Sequence, residues 1–370
     1  MRSNNVLGFI FAATLDDKIP ELASSRTTAS VPIGGKYRII DFDLSNMSNS
    51  GISNVGIVAK SNFQSLMDHV GSGSAYDLSK RRSNLSILPP YDGKAFSSFV
   101  ETIYNMHGYI EHCREEYVLI SQGNVITNID YTDVFDFHSK KKADITLIYK
   151  NHAIPQGYDR PITLDVDNDG KVNQIFVKPG VVDKGVFNHA YGSILIRKDL
   201  LMSEIRNAIS VNQLDVRRLI QSSLGKYSIY AYENKGYCAA ISSINDYFEF
   251  NMDLMKKKVR DELFNPQRPI YTKVRDDAPS RYGLTSNVKN SIIAQGCVIN
   301  GDVENCVISK GVYVGEGAKL SNCIVMQDTK IGCNTNLNYV IIDKDVTIKD
   351  GRSLMGYDSY PIYIAKKSVV

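Results

Sequence analysis

The residues most suited to chemistry follow the first apolar run, LGFI at positions 7–10. The chain continues as FAATLDDKIPEL (11–22) and, a few residues later, as VPIGGKYRIIDF (31–42). Many nucleotide-binding α/β domains begin with such a strand and turn, and the turn is glycine-rich because only backbone without Cβ closes on phosphates. This turn has no glycine and carries Asp16 and Asp17 instead. The pattern predicts the framework of a nucleotide site whose turn repels phosphate.

Basic residues elsewhere could still hold an anion. Lys36 and Arg38 lie two residues apart in GGKYR, and Lys178 lies in VKP. We interpret all three as candidate anion-binding or effector-binding residues. The alternative for each is structural: for Lys36 and Arg38, GGKYRIIDF would stabilise the fold through surface salt bridges, and Lys178 lacks a glutamate neighbour with which to form a site.

A second candidate site is excluded by its spacing. DVDNDG, starting at Asp165, begins like a calcium-binding EF-hand loop, but the twelfth position is Phe176, where a bidentate glutamate is required. The segment ITLDVDNDGKVNQIFVKP (162–179) instead predicts two strands joined by a tight turn. We therefore predict a hairpin and no metal site.

The elements that must position these residues alternate between strands and helices from residue 1 to about 245. Predicted strands are NVLGFIFA (5–12), NVGIVAK (54–60), EYVLISQG (116–123), ADITLIYK (143–150) and AYGSILIR (190–197). Predicted helices are NFQSLMDHV (62–70), SFVETIYNMHGYI (98–110) and DLLMSEIRNAI (199–209). Short apolar strands alternating with helices indicate parallel βαβ units and a doubly wound α/β domain.

The later part of the chain contains a repeat. The segments NSIIAQGCVI (290–299), NCVISKGVYV (305–314), NCIVMQDTKI (322–331) and YVIIDKDVTI (339–348) align, with the last three starting 17 residues apart. Within each, an apolar residue recurs six positions later. This period predicts a left-handed parallel β-helix, in which Cys306 and Cys323 stack one coil apart in the interior.

The repeat also suggests domain limits. We assign residues 1–245 to the α/β domain, 246–285 to a linker helix and connection, and 286–370 to the β-helix. INDYFEFNMDLMKKKVRDEL (244–263) has helical spacing, and NPQRP (265–269) ends it. The final segment SYPIYIAKKSVV is β-rich enough to cap the stack or to join a sheet between subunits.

Composition restricts the functional class. The 370 residues are 43% hydrophobic and 22% charged with a net charge of +3, as in ordinary soluble globular proteins. No apolar run approaches the roughly 18 residues of a membrane span. The six cysteines form no C-x-x-C pair, and no secretion signal is evident, so we expect reduced thiols in a cytoplasmic protein. We expect no nucleic-acid or membrane partner.

Three longer segments carry a family resemblance. VPIGGKYRIIDFDLSNMSNSGISNVGIV (31–58), HVGSGSAYDLSKRRSNLSILPPYDG (69–93) and GYCAAISSINDYFEFNMDLM (236–255) closely resemble the bacterial glucose-1-phosphate adenylyltransferase family. The resemblance implies a reaction in which glucose-1-phosphate attacks the α-phosphate of ATP and pyrophosphate leaves. Such phosphoryl chemistry requires cations and carboxylate-bound metal to neutralise developing charge.

The resemblance also places this chain's residues on the family's first motif, LAGGxGxRL followed by KPAVPFGGKYR. Ala13, Thr14 and Asp16 fall on the three glycines. Lys18 falls on the arginine that grips triphosphate, and Thr28 on the lysine of KPA. The turn thus differs from the family pattern at each of these positions.

The other family motifs differ as well. Asn124 falls on the metal-holding aspartate of the GDH motif, and Ala239 with Ala240 on an Arg-Asp pair whose aspartate is essential. Val177 replaces the glutamate of the sugar-binding EKP motif, and Arg218 falls on the aspartate of FGKDLIP. Together these substitutions predict loss of Mg²⁺ binding and of turnover, and no cofactor for this chain.

The resemblance is strongest to the non-catalytic GlgD-type subunit, which many Gram-positive bacteria pair with a catalytic subunit. It implies a regulatory role in a heterotetramer that makes ADP-glucose for glycogen; a homo-oligomer of this chain alone also stays open. Two alternatives remain: an active nucleotidyltransferase with an altered site that recruits residues such as Lys18 and Arg218, and a free-standing sugar-phosphate sensor.

Overall fold

The computed structural model describes residues 5–13, 16–60, 62–79, 83–89, 98–154, 161–177, 185–274 and 276–370. Its α/β part contains, in chain order, β1 (Val6–Phe11), α1 (Pro20–Ala23), β2 (Pro32–Ile33), β3 (Tyr37–Arg38), α2 (Ile40–Asn49), β4 (Asn54–Val58), α3 (Gln64–Val70), β5 (Asn84–Leu88), α4 (Phe99–Asn105), α5 (His107–His112), β6 (Tyr117–Gln122), β7 (Val125–Thr127), α6 (Tyr131–Lys141), β8 (Ile145–Ala153), β9 (Ile162–Val166), β10 (Val172–Val177), β11 (Val186–Arg197), α7 (Lys198–Ser210), α8 (Val216–Ser222), β12 (Ile229–Glu233), β13 (Cys238–Ala240), α9 (Ile244–Asp253) and α10 (Lys257–Leu263).

The C-terminal part consists of short strands. They are β14 (Arg281–Tyr282), β15 (Asn287–Lys289), β16 (Ile292–Ile293), β17 (Val298–Ile299), β18 (Asp302–Glu304), β19 (Val307–Ile308), β20 (Tyr313–Val314), β21 (Lys319–Ser321), β22 (Ile324–Val325), β23 (Lys330–Ile331), β24 (Asn336–Asn338), β25 (Val340–Ile342), β26 (Thr347–Ile348), β27 (Ser353–Met355) and β28 (Ile362–Ile364). Among the described residues, no helix is long and apolar enough to cross a bilayer.

The α/β domain is built on a nine-stranded sheet with the path β10-β9-β11-β6-β1-β4-β5, and with β8 and β12 joined beside β11. Strand β1 is buried along its whole length and pairs in parallel with β4 and β6. Such continuous burial is expected where helices cover both faces of a parallel sheet. The predicted α/β fold is confirmed.

One strand runs against the predicted direction. The segment AYGSILIR belongs to β11, which is antiparallel to both β6 and β8. No described helix separates β8 from β11 in sequence, since the β9–β10 hairpin lies between them. Without a crossover helix, a returning strand pairs antiparallel, so the expectation of parallel units is wrong at this strand.

Helices cover the two faces of the sheet with separate apolar cores. On one face, α4, α7 and α8 contribute Val100, Ile205 and Ile220. On the other face, α2 and α6 contribute Leu44 and Phe135. Both layers exclude water from the sheet, which leaves the carboxyl ends of its strands as the place where polar chemistry can occur.

The segment predicted as one linker helix forms two. Helix α9 begins after Ser243, whose side chain accepts a hydrogen bond from the Asp246 amide, and α10 follows from Lys257. Leu254 and Met255 form a turn between them. An N-cap of this kind satisfies one of the free amides of the first helical turn.

The predicted left-handed parallel β-helix is also confirmed. Its strands form three five-stranded parallel sheets, ordered β14-β17-β20-β23-β26, β15-β18-β21-β24-β27 and β16-β19-β22-β25-β28. The interior includes Cys306 and Cys323, which lie on successive coils; the Cys323 amide donates to Cys306 Sγ at 3.3 Å, and both thiols are free. The C-terminal segment adds β28 to its own stack, in parallel with β25.

The two domains share one apolar core. Ile19, Leu22 and Phe248 of the α/β part belong to the same cluster as Ile324 and Ile341 of the β-helix. This shared core fixes the β-helix against the α/β domain, because burial of apolar side chains on both sides is lost if the domains separate.

A buried ion pair lies beside the shared core. Arg26 Nη2 donates to both carboxylate oxygens of Asp343, at 2.7 and 2.6 Å, although the residues are 317 positions apart. Tyr363 Oη also donates to Asp343, at 2.7 Å. Burial of the pair requires such additional hydrogen bonds, because charges that leave water must be fully satisfied.

Candidate functional site

The turn after β1 is packed tightly against neighbouring backbone. The Ala29 amide donates to Ala12 O at 3.1 Å, and the Gly123 amide donates to Phe11 O at 2.9 Å. A Cβ at Gly123 would lie 2.9 Å from Phe11 O, so only glycine allows this approach. The fold therefore brings the turn, the segment from Thr28 and the end of β6 together, as a nucleotide site requires.

The position expected to cradle phosphate holds a carboxylate. Asp16 Oδ1 accepts hydrogen bonds from both the amide and the hydroxyl of Thr28, each at 2.7 Å. Asp16 and Thr28 are the residues that fall on a glycine and a lysine of the family motif. Their side chains satisfy each other, and burial raises the pKa of the Asp16 carboxyl despite the two bonds. The turn offers a ligand phosphate no donor from this pair.

The two positions matching the family's metal carboxylates are neighbours here. Strands β7 and β13 pair so that Ala240 lies opposite Val125, and the Ile241 amide donates to Asn124 O at 2.9 Å. The Asn124 side chain, only 1% exposed, donates from Nδ2 to Ile241 O at 3.2 Å. The fold thus brings the two predicted site positions together, with an amide at one and a methyl group at the other.

These residues do not fit Mg²⁺. Asn124 Oδ1 is the sole side-chain acceptor of the pair; it has no hydrogen-bond partner within the described part of the chain, and Ala240 offers no ligand atom. A hard divalent cation needs several oxygen ligands, usually including carboxylates. Among the residues that the structure describes, no three His, Cys, Asp or Glu side chains converge on a possible metal position. The loss of Mg²⁺ binding itself stays a prediction.

Apolar and aromatic groups surround this pair. Val125, Tyr191 and Ala240 form a small buried cluster against Cys238. His152 stacks on Tyr191 with ring centroids 5.2 Å apart and forms a hydrogen bond with its hydroxyl. Burial lowers the pKa of His152 to about 4, so this imidazole is neutral near pH 7. The cluster supplies neither a cation for phosphate nor a carboxylate for metal.

The remaining predicted site residues are not gathered at the turn. Lys18 is exposed beside the turn, Val177 ends β10 at one edge of the sheet, and Arg218 is exposed on α8. Helix α8 packs near β10, with Gln221 Nε2 donating to Ile175 O at 3.0 Å. Thr14 and Lys178 lie outside the described residues, so their roles stay predictions.

A second polar region lies where the domains meet, and we call it the interdomain cleft. It is about 280 Å³ and is lined by basic side chains from both domains. Those from the α/β part include Lys36 and Arg38, the two described members of the predicted anion set. Lys36 is exposed above the Tyr37 ring, with Nζ 4.9 Å from its centroid.

Arg38 also has a structural role. Its Nη1 donates to Ser65 O at 2.6 Å and to Ser65 Oγ at 2.8 Å, while its amide donates to Asp41 Oδ2 at 2.9 Å. Asp41 is fully buried and also bonds His69 and Tyr76, each at 2.6 Å. The guanidinium is thus held in a fixed position at the cleft, so the structural and anion-binding interpretations of Arg38 are compatible.

Sequence reasoning missed the β-helix side of the cleft. Lys310, Gln327 and Lys344 occupy equivalent positions of three successive coils and all line it. The 17-residue repeat contained this signal, because residues at one repeat position stack on one corner of a β-helix. What the sequence alone left open was which corner faces the α/β domain.

A larger groove lies elsewhere on the α/β domain. It is about 690 Å³ and runs between α6, the β9–β10 turn and the end of β12. None of the described residues predicted to form a site lines it. Its carboxylates, including Asp133 and Glu233, outnumber its cations, so it does not favour a phosphate ligand.

Comparison with known protein families agrees with the α/β domain and with the β-helix. The family described as nucleotidyl transferase matches residues 17–257, and the family described as GlmU-like C-terminal hexapeptide matches residues 273–360. The chain is similar to the glycogen biosynthesis protein GlgD of Bacillus subtilis (strain 168), with 32% identity over 370 residues that cover 99% of this chain and 97% of the relative.

Two further relatives carry different names. GlgD of Geobacillus stearothermophilus is 37% identical over 326 residues, covering 85% of this chain and 83% of the relative. The glucose-1-phosphate adenylyltransferase of Clostridium acetobutylicum is 32% identical over the same length, covering 85% and 84%. The chain is about equally similar to relatives of both names, so overall identity does not show which role it has. The residues at the candidate site are therefore the better guide.

Proposed function

The chain belongs to the glucose-1-phosphate adenylyltransferase family of nucleotidyl transferases, and we propose that it is a regulatory, catalytically silent subunit. In this role it associates with a catalytic subunit, in a heterotetramer, and enhances or tunes ADP-glucose synthesis for glycogen biosynthesis. The names of its relatives support the pathway, since they include both GlgD and the adenylyltransferase itself.

The observation that carries the proposal is the pair Asn124 and Ala240. These two residues, the predicted counterparts of the family's two metal-holding carboxylates, are neighbours in the fold and both are buried. Phosphoryl transfer depends on metal and cations to stabilise developing charge. A site with one neutral amide and one alanine at these positions lacks the groups for that stabilisation.

The interdomain cleft supports the regulatory half of the proposal. Lys36 and Arg38 meet lysines of the β-helix there, at a boundary where a bound anion would bridge the domains. A phosphate-bearing metabolite is the ligand class that such a set of cations favours. In this role the chain senses an effector that the catalytic subunit responds to.

The first coil of the β-helix supports association through that domain. Strands β14, β15 and β16 each begin a sheet, so one edge of every sheet ends there among the described strands. Tyr282 is 55% exposed on this coil, and Leu284 beside it is fully exposed. Open strand edges with exposed apolar side chains are surfaces that protein partners cover.

The test is to purify the chain, a catalytic subunit and their mixture, and to measure ADP-glucose formation from ATP and glucose-1-phosphate with Mg²⁺. We expect no turnover by the chain alone, and a mixture that is faster than the catalytic subunit or differs from it in effector response. Turnover by the chain alone within roughly tenfold of a catalytic homologue would favour an active enzyme with an altered site. A mixture with no complex and no rate change would favour a free-standing sensor.

The association is tested with Leu284→Asp, which places a charge on the open coil. We expect co-purification with the catalytic subunit to drop sharply. Val211→Asp is the matched control, because Val211 is 73% exposed at the end of α7 in the α/β domain. Equal binding by both variants would place the partner contacts elsewhere.

A further inference from the structure

The larger groove of the α/β domain is separate from the turn after β1 and from the interdomain cleft, and we call it the hairpin groove. It lies between α6, the turn of the β9–β10 hairpin and the end of β12, and its volume is about 690 Å³. This volume falls within the range of small-ligand sites. None of its lining residues lines the interdomain cleft, and neither Asn124 nor Ala240 lines it. A ligand bound here would therefore occupy a site of its own.

The walls of the hairpin groove are held in place by backbone hydrogen bonds. The hairpin turn is joined to β12, because the Ala231 amide donates to Gly170 O at 2.7 Å. Asp167 Oδ1 accepts from the amides of Asp169 and Lys171, at 2.8 and 2.9 Å, and so stabilises the turn. A groove with ordered walls binds a ligand without the entropic cost of ordering a loop around it.

Aromatic rings form part of the lining. Phe137 of α6 and Tyr232 of β12 meet edge to face, with ring centroids 5.6 Å apart, and Tyr149 of β8 also lines the groove. Lys141 covers Phe137, with Nζ 5.9 Å from the ring centroid, and pairs with Asp169. Tyr149 and Tyr232 are only partly buried, so their rings offer apolar surface to a ligand.

The charged side chains of the groove have both signs. Those of Asp133, Glu233, Lys235 and Arg268 form no hydrogen bond or ion pair with another residue that the structure describes. Burial raises the pKa of Tyr232, Asp133 adds to the rise and Arg268 opposes it, so both charges lie near this phenol. An anion would meet the carboxylates, and a cation would meet Lys235 and Arg268. A neutral ligand with hydroxyl groups can donate to the carboxylates and accept from the cations.

Asn128 adds a buried acceptor to the groove. It lines the groove and is only 5% exposed. Its Nδ2 donates to Leu263 O and to Arg268 O, each at 2.8 Å, which fixes the orientation of the amide. Its Oδ1 has no hydrogen-bond partner among the described residues. A buried acceptor without a partner is costly, so a ligand hydroxyl that donates to it would be favoured.

We propose that the hairpin groove binds a neutral oligosaccharide, specifically a short linear segment of an α-glucan. Sugar hydroxyls donate to Asp133, Glu233 and Asn128 Oδ1. The less polar faces of the sugar rings lie against Tyr149 and Tyr232. The rim of the groove is exposed along α6 and the hairpin turn, so a chain longer than the groove can extend beyond it.

The choice of an α-glucan among oligosaccharides rests on the proposed function. ADP-glucose is the glucosyl donor for glycogen, so a subunit that holds the polymer keeps ADP-glucose synthesis close to the reaction that consumes its product. The groove binds the polymer and not the substrates of the adenylyltransferase reaction.

The experiment measures maltoheptaose binding to the full chain by isothermal calorimetry. We expect a Kd on the order of 0.1–1 mM, as for an open and hydrated site. Because the ligand is neutral, we expect less than about a twofold change in Kd between roughly 50 and 500 mM NaCl. Cellohexaose, which joins glucose units by β-linkages, should bind at least about fivefold more weakly. Spermidine, titrated in the same way, tests the groove for a cationic ligand.

Two pairs of variants test the groove residues. Asp133→Ala removes an acceptor and should weaken maltoheptaose binding roughly five- to tenfold. Asp136→Ala is the matched control, because Asp136 is exposed on the same helix and does not line the groove. Tyr232→Ala removes a ring and should weaken binding at least about tenfold, whereas Tyr232→Phe keeps the ring and should bind within about threefold of wild type. Circular dichroism checks that each variant is folded.

Four results would overturn the proposal. They are no maltoheptaose binding up to about 10 mM, equal weakening by Asp133→Ala and Asp136→Ala, tighter binding of cellohexaose, and salt-sensitive binding of spermidine in place of maltoheptaose. None of them tests the proposed subunit function. That function is measured as the effect of the wild-type chain on ADP-glucose synthesis by the catalytic subunit in buffer without any oligosaccharide.

Discussion

The turn after β1 and the interdomain cleft differ in how their polar groups are paired. The polar groups described at the turn bond one another or backbone, whereas the cleft gathers several cations around a cavity. At the turn, Asp16 and Thr28 satisfy each other, and Asn124 is bonded to backbone. In the cleft, lysines from two domains face one another across a cavity. Retention of a fold does not retain its chemistry, because packing can preserve the positions of a site after its polar groups have turned inward. The excess of basic side chains lies at the cleft and not at the turn, which is why we propose the cleft as the anion site.

The largest effect is expected from breaking the ion pair that joins the domains beside the cleft. Arg26→Ala leaves the Asp343 carboxylate buried without its guanidinium partner, so we expect unfolding free energy to fall by about 3–5 kcal/mol. Chemical denaturation measures this loss. Arg206→Ala is the matched control, since Arg206 and Glu111 form an exposed pair that should contribute at most about 1 kcal/mol. Equal losses would mean that the interdomain pair is not a major constraint.

A pH-dependent effect is expected from Asp43, a carboxyl just behind the turn. Ser121 Oγ donates to Asp43 Oδ1, and burial raises the pKa of Asp43 to about 7. The folded pKa lies above the unfolded value, so stability is highest when this acid is protonated and falls as pH rises from about 4 to 7. Asp43→Asn should therefore stabilise the protein by roughly 1–3 kcal/mol at about pH 8.

At about pH 5 the difference between Asp43→Asn and wild type should be much smaller, because Asp43 is protonated in the folded protein. Thermal unfolding at both pH values measures the change. A variant that stabilises equally at both would indicate a packing effect and not a titrating carboxyl.

A smaller effect is expected when a glycine is returned to the turn. Asp16→Gly removes the acceptor of the Thr28 amide and hydroxyl, and we expect a loss of about 1–2 kcal/mol in unfolding free energy. Asp17→Gly is the control, since Asp17 is exposed and pairs with Lys60 at the surface. ATP binding, followed by calorimetry, should not appear in either variant. Micromolar ATP binding by Asp16→Gly would show that the Asp16 carboxylate alone prevents ATP from binding at the turn.

The smallest effect is expected on catalysis itself. Asn124→Asp returns one family carboxylate but leaves Ala240 and the glycine-free turn, and groups that act as a unit are not restored one at a time. We expect ADP-glucose synthesis by this variant to stay undetectable. Asn124→Ala is its control for folding. Substantial turnover by Asn124→Asp alone would contradict the catalytically silent assignment.

An experiment that cuts the chain near residue 285 is less informative than these point variants. Removing the β-helix would expose Ile19, Leu22 and Phe248, which share a core with Ile324 and Ile341. Such exposure of apolar surface destabilises the remaining domain whether or not the partner binds the β-helix. Loss of co-purification after the cut is still expected, but a single surface change such as Leu284→Asp separates binding from folding.

Much of the fold could be predicted because its signals are local. Apolar strands alternating with helices gave the α/β domain, and the 17-residue repeat gave the β-helix with Cys306 and Cys323 on neighbouring coils. The direction of β11 could not be predicted, because strand direction depends on which neighbours pair and not on the strand's own residues. The break between α9 and α10 was missed for a similar reason, since helical spacing continues through it.

The candidate sites divide along the same line. The sequence by itself determined that the turn after β1 has no glycine, and its family resemblance predicts that metal carboxylates are missing at Asn124 and Ala240. Only the tertiary structure decided that Asp16 bonds Thr28, that Asn124 is buried, and that Lys344 lies opposite Arg38. The physical reason is that residue type fixes which groups are available, whereas burial and charge–charge proximity arise between segments as far apart as Arg26 and Asp343.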